Sequence, residues 1–212
     1  MKIIWHGHSC FKIITKSATT ITDPFDKSIG LKPPRCEADI ITVSHEHYDH
    51  NNTSVLKGSP LIINTPGEYD LKDVIILGID SFHDMKEGKE RGSNTIFIIE
   101  AENIRICHLG DLGQKELTGE QLEKIGEIDI LMIPIGGIYT IDGERAITII
   151  NQIEPKIVIP MHYKIPHLNI KLQGPDEFLK EMGTVKEVVE QLTIKKKDLL
   201  KKDMRVIVMR VI

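Results

Sequence analysis

Aliphatic and β-branched residues recur in short runs along the chain, each closed by turn-forming or polar residues, a pattern that predicts strands between turns rather than long helices. The runs fall at Ile3 to Trp5, Cys10 to Thr15, Thr19 to Thr22, Ile40 to Val43, Leu61 to Asn64, Val74 to Ile79 and Thr95 to Glu100. Ile104 to Leu109, Ile128 to Pro134, Lys156 to Pro160 and Met204 to Val211 continue the series. Helical spacing is confined to Gly119 to Gly126, Gly143 to Gln152 and Pro175 to Met182, the last opening with the Pro, Asp and Glu that suit a first helical turn. No linker, low-complexity tract or repeat divides the sequence, so it reads as one α+β domain over 1–212 with two β layers covered by helices. The alternating run Arg205 to Val211 is expected to form a sheet edge open to pairing. Asp23 to Arg35, Pro66 to Asp73 and Ile165 to Pro175 read as loops lining a pocket, with Pro66 to Tyr69 as a rim turn presenting an aromatic.

Composition narrows the class. With 212 residues, 41% of them hydrophobic, the chain can bury a core of its own. No apolar run nears the roughly 18 residues of a membrane span. Met1-Lys2 leads straight into the first strand, so a soluble, unprocessed, cytoplasmic protein is expected. Cys10, Cys36 and Cys107 are odd in number and lack CxxC spacing, which suggests neither a disulfide framework nor a cysteine zinc site. The net charge of -4 argues against a chain built to bind polyanions. Residues 195–212 nonetheless carry seven basic and two acidic side chains, which leaves Lys195 to Lys202 as a docking strip to be tested for nucleic acid.

The chemistry concentrates in His45-Glu46-His47-Tyr48-Asp49-His50, directly after the aliphatic run Ile40 to Val43. In an extended stretch residues two apart share a side, so His45 and His47 can hold one metal ion. If the chain turns after Tyr48, Asp49 and His50 reach a second ion, which two-metal sites place about 3.5–4 Å from the first. Imidazole nitrogen and carboxylate oxygen suit zinc, with manganese and iron also compatible. Further along, His83, Asp111 and His162 each follow a strand-like run.

The HxHxDH hexapeptide with His83, Asp111 and His162 in order resembles the signature of the metallo-β-lactamase superfamily over nearly the whole chain. That resemblance implies the four-layer αββα sandwich and a complete ligand set. His45, His47 and His83 would hold one metal, Asp49, His50 and His162 the other, and Asp111 would bridge them. Trp5-His6-Gly7-His8-Ser9-Cys10-Phe11, Pro134 to Thr140 and Pro155 to Tyr163 are similar to the branch of small hydrolases that includes the L-ascorbate-6-phosphate lactonase. The implied reaction is attack by a hydroxide shared by two divalent metals, zinc first, on a small ester-like substrate: a lactone, phosphate ester or phosphodiester. Asp49 would accept a proton as the intermediate collapses, and His8, Tyr139, Tyr163 and His167 are the candidates to protonate the leaving group. His108, three residues before Asp111, would orient a ligand or pack in the core, and His6 would be structural. Gly136-Gly137 would let backbone approach substrate or metals.

Three other functions compete. Flavodiiron proteins share this fold but carry a glutamate where His47 stands, and no flavodoxin-like region follows here. A nuclease could use the basic strip, although 212 residues leave no room for the RNA-gripping insertion of processing nucleases. A non-catalytic metal-binding module would not need the full ligand set. Sequence is silent on the substrate and on the oligomeric state.

Overall fold

The computed structural model describes residues 1–183, 186–200 and 203–212. Its strands are β1 (Lys2–Gly7), β2 (Cys10–Ile14), β3 (Thr19–Thr22), β4 (Ile40–Thr42), β5 (Leu61–Ile63), β6 (Gly67–Leu71) and β7 (Val74–Phe82), followed by β8 (Ser93–Ala101), β9 (Ile104–His108), β10 (Ile130–Pro134), β11 (Ile157–Met161), β12 (Lys186–Val189), β13 (Gln191–Thr193) and β14 (Arg205–Met209). Helix α1 (Gly119–Ile125) precedes β10, α2 (Gly143–Ile153) lies between β10 and β11, and α3 (Asp176–Met182) follows β11. Two sheets result, one in the order β13-β1-β2-β3-β4-β5 and one in the order β12-β14-β11-β10-β9-β8-β7-β6.

Side-chain alternation accounts for the layers. Ile3, Phe11, Ile13, Ile40 and Ile63 turn inward from the first sheet into a core shared with the second. Their neighbours Cys10, Ile21, Ile41 and Val43 turn outward and are covered by Phe25, Ile29 and Leu31 of the loop after β3. That outer layer holds only one-turn 3-10 segments, Lys27–Ile29 and Thr53–Val55, among the described residues, whereas all three α-helices belong to the second sheet's side. Helix α2 buries Ala146, Ile149, Ile150 and Ile153, one face at helical spacing, and Asp142 caps its first turn by accepting from the Arg145 N–H. Strands β10 and β11 are buried along their whole length, as parallel strands covered on both faces should be.

Several expectations are corrected. Residues 205–209 are no free edge: β14 lies between β11 and β12. Pro66 to Asp73 is not a pocket loop but contains the edge strand β6, and the Tyr69 hydroxyl folds back onto Thr65 instead of facing a cleft. Proline 160 does not end its strand; it sits inside β11 opposite Ile133, beyond the point where β14 stops pairing, so its missing N–H costs no ladder bond. Strands β12 and β13 are absent from the pattern reading because their alternation is short and interrupted by charge.

Candidate metal centre

The strand directions bring the chemistry to one place. Strands β3 and β4 run parallel, as do β9, β10 and β11, and Asp23, His45, Asp111 and His162 each follow the carboxyl end of one of them. His83 follows β7 and His8 follows β1. Ligand sites commonly form outside the carboxyl ends of parallel strands, where loops leave the sheet together.

Three groups of donor atoms lie within 4.8 Å of one another: His45, His47 and His83; His8, Asp49, His50 and His162; and His45, His50 and Asp111. A turn in which the His50 N–H donates to the His47 carbonyl at 2.9 Å sends the two ends of the hexapeptide to different groups. Glu46, within the same hexapeptide, faces away and accepts from Asn51 and Asn64, bracing the loop. Asp111 Oδ2 stands 3.1 Å from His162 Nε2, 3.3 Å from His50 Nε2, 3.4 Å from His83 Nε2 and 4.0 Å from His45 Nε2. One carboxylate therefore faces histidines of both metal groups.

Two further observations fit this cluster to cations. Asp111 Oδ1 and His45 Nε2 are buried without a hydrogen-bond partner, and such atoms in a native interior call for a ligand. The charges also favour positive occupants. Burial alone would raise Asp111 and Asp49, but His162 and His50 hold Asp111, and a hydrogen bond from His8 holds Asp49, well below the usual carboxylate range. Burial and the adjacent His162 push His8 down to about 3, and burial with His50 takes His45 down to about 2, so both rings are neutral at pH 7 with lone pairs to offer. His50 moves the other way: burial opposes its charge, yet Asp111 and Asp23 raise it well above the ordinary histidine value.

The surrounding shell fixes ring orientation. Asp23, fully buried, accepts from the Ser44 hydroxyl at 2.6 Å and from His50 Nδ1 at 3.0 Å, while the Ser44 hydroxyl accepts from His45 Nδ1 at 3.0 Å. One carboxylate thus anchors the Nδ1 sides of two histidines, directly for His50 and through Ser44 for His45, and turns their Nε2 atoms toward the cluster. His108 donates from Nε2 to the Ser9 carbonyl and accepts the Gly110 N–H on Nδ1, which shapes the turn carrying Asp111; it belongs to no donor group. Asn94 accepts the Asp111 N–H and donates to the Leu109 carbonyl on the same turn. A Cβ at Gly136 would lie 2.1 Å from the His162 carbonyl, so glycine there permits the ligand loop to close.

A cleft of about 500 Å³ opens over the cluster, lined by His47, Asp49, His83, Asp111 and His162 and rimmed by Tyr48, Arg91, Tyr139 and Lys171. Of the residues considered beyond the ligands, His8 enters a donor group and Tyr139 stands in the cleft wall. Tyr163 and His167 do not: they line a separate cavity with Trp5, Tyr163 being buried against the Trp5 ring at 5.3 Å. An added Cβ at Gly137 would meet the Gln173 side chain, and neither glycine of this pair lines the metal cleft. Asp23, Arg91 and Lys171 carry no motif of their own. The one signal for Asp23 is its position just past a strand that pairs with the strand before the hexapeptide.

Fold and donor set together define a metallo-β-lactamase-fold hydrolase with a His/Asp cluster able to bind metal. The chain belongs to the β-lactamase superfamily domain family, whose model matches residues 2–162, a span that closes on His162. A UPF0173 metal-dependent hydrolase of Thermoplasma acidophilum is 32% identical over 214 residues, covering 87% of this chain and 92% of that protein. A crystal structure from Thermotoga maritima, described as a candidate zinc-dependent hydrolase of the metallo-β-lactamase superfamily, is 39% identical with a TM-score of 0.82, covering 98% of this chain and 97% of that one. Igni18, a metallo hydrolase of Ignicoccus hospitalis, shares the fold at 21% identity and a TM-score of 0.68, over 99% and 94% of the two chains.

Proposed function

We propose that the protein is a two-metal hydrolase that cleaves a small ester-like substrate, a lactone, a phosphate ester or a phosphodiester. The observation that carries this reading is Asp111, whose two carboxylate oxygens meet donor atoms of both metal groups or stand buried without a partner. His45, His47 and His83 would hold one ion, Asp49, His50 and His162 the other, with Asp111 common to both. When bound, two divalent ions would supply a hydroxide near neutral pH, by lowering the pKa of water toward about 7, and would polarise the bond under attack. Zinc is the first choice for this donor set, supported by the description of the Thermotoga maritima relative, and manganese and iron also accept it.

The chain's own groups divide the remaining work. Asp23 and Ser44 keep His45 and His50 in one tautomer. Asp49, ionised and at the cleft floor, accepts a proton as the tetrahedral or phosphorane centre collapses. Tyr139 is the donor for the leaving group, since of His8, Tyr139, Tyr163 and His167 it alone lines the cleft, while His8 is buried against Asp49. A cleft of about 500 Å³ suits a small molecule. The basic strip gives less support to a nucleic-acid substrate: Lys196 is tied to Asp129 at 2.8 Å, Lys195 and Lys196 line a cavity that shares no residue with the metal cleft, and Lys201 and Lys202 lie outside the described residues. Three unpaired cysteines suit a cytoplasmic site of action. The test is a panel of lactones, phosphate monoesters and phosphodiesters offered to zinc-loaded and manganese-loaded protein. Turnover that requires metal and disappears in Asp111→Ala supports the reading, and no turnover on any member contradicts it.

A further inference from the structure

The cleft's rim carries charge that the metal cluster does not use. Its only acids are Asp49 and Asp111, both inside the donor groups, while Arg91 and Lys171 line it without an ion pair among the described residues. The charge of two divalent ions would be offset within the cluster by Asp23, Asp49, Asp111 and a hydroxide, so the rim cations are left for a ligand.

Arg91 is held in place rather than waving in solvent. The loop after His83 closes around the Asp84 carboxylate, which accepts the backbone N–H groups of Lys86 at 2.7 Å, Gly88 at 3.1 Å, Glu90 at 3.0 Å and Arg91 at 2.8 Å. The Arg91 guanidinium then lies over the Tyr139 ring, 4.9 Å from its centroid, and its N–H donors make no hydrogen bond among the described residues. Lys171 comes from a different wall, a segment tied to the first sheet's covering loop where the Asn169 N–H donates to the Ile29 carbonyl at 2.7 Å.

We propose that this cleft selects substrates bearing an anionic group, a carboxylate or a phosphate monoester, away from the bond to be cleaved, with Arg91 as its fork-shaped receptor and Lys171 as a second positive charge. The proposal rests on the hydrolase reading and adds a substrate class to it. A guanidinium fork pairs with the two oxygens of either anion, whereas an alkyl chain end offers it no acceptor.

The test uses metal-loaded protein and two esters alike except at the chain end, p-nitrophenyl hexanoate and the mono-p-nitrophenyl ester of adipic acid. The anionic ester is expected to show the higher kcat/KM through a lower KM, by about tenfold or more as a charged hydrogen bond allows. Arg91→Gln and Lys171→Gln should each shrink that ratio, Arg91→Lys should retain part of it, and added salt should weaken it. A phosphonate-ended ester in the same series tells phosphate from carboxylate by which has the lower KM. If both esters are cleaved with a ratio near one, or the ratio survives both substitutions, the anion site is overturned and the hydrolase reading stands. If neither is cleaved, calorimetric binding of adipate decides: weakening of about tenfold in Arg91→Gln supports the anion site and puts the failure on hydrolysis, and unchanged binding overturns the anion site.

Discussion

Asp111 is the residue on which the two donor groups converge, and its replacement should do two things at once. Asp111→Ala is expected to lower the metal content per chain and to abolish hydrolysis, read by elemental mass spectrometry and by turnover of the best ester. Asp23 touches no metal in this account but holds the tautomer of His45 and His50, so Asp23→Asn should weaken metal affinity by about 10–100-fold while leaving the donor set intact. A chelator titration separates the two cases, and affinity equal to wild type would remove Asp23 from its positioning role. The ligands of the hexapeptide were legible from spacing, two apart for a shared side and a turn after Tyr48, whereas His83, Asp111 and His162 were legible through the resemblance of their order to the superfamily pattern. Asp23, Arg91 and Lys171 were not, since each acquires its meaning only from what the fold sets beside it: the Ser44 and His50 side chains, the Tyr139 ring, and the cleft wall.

At the scale of elements, the strands that position the site announce themselves as runs of aliphatic residues because both of their faces are covered. Every residue of β10 and β11 is buried, so no polar position breaks the run. Strand β6 is half exposed and reads Gly-Glu-Tyr-Asp-Leu, a composition that looks like a turn until β7 pairs with it. Gly136 sits against the carbonyl of His162, and Gly136→Ala should force the two loops apart, at a cost of about 1–3 kcal/mol for the added methyl group. A drop in melting temperature together with a lowered metal content is expected. Unchanged metal content at lowered stability would show that His162 does not depend on this contact.

Across the whole molecule, the two sheets share one core while charge fastens the edge far from the metals. Asp129 is buried between Lys156 at 2.6 Å and Lys196 at 2.8 Å and accepts the Arg105 N–H, joining β9, β10, β11 and the segment after β13. Burial would raise its carboxyl, but the two lysines and the Arg105 N–H lower it. A carboxyl depressed in the folded state contributes stability above its unfolded value near about 4 and loses it as pH falls through the folded one. Asp129→Asn should therefore cost about 1–3 kcal/mol at pH 7, with wild type and variant converging in acid. A difference that persists unchanged however far the pH is taken below the unfolded value would deny the linkage. Metal ions that bind only the folded chain add to the same balance, so chelation should lower the melting temperature.

The most direct test of a shared two-metal centre is the number of metal ions per chain in protein prepared without chelator and then loaded with zinc, measured beside Asp111→Ala. About two ions per wild-type chain are expected, fewer in the variant, with hydrolysis only in the loaded wild type. A single ion that Asp111→Ala leaves in place, with hydrolysis intact, would contradict the shared centre.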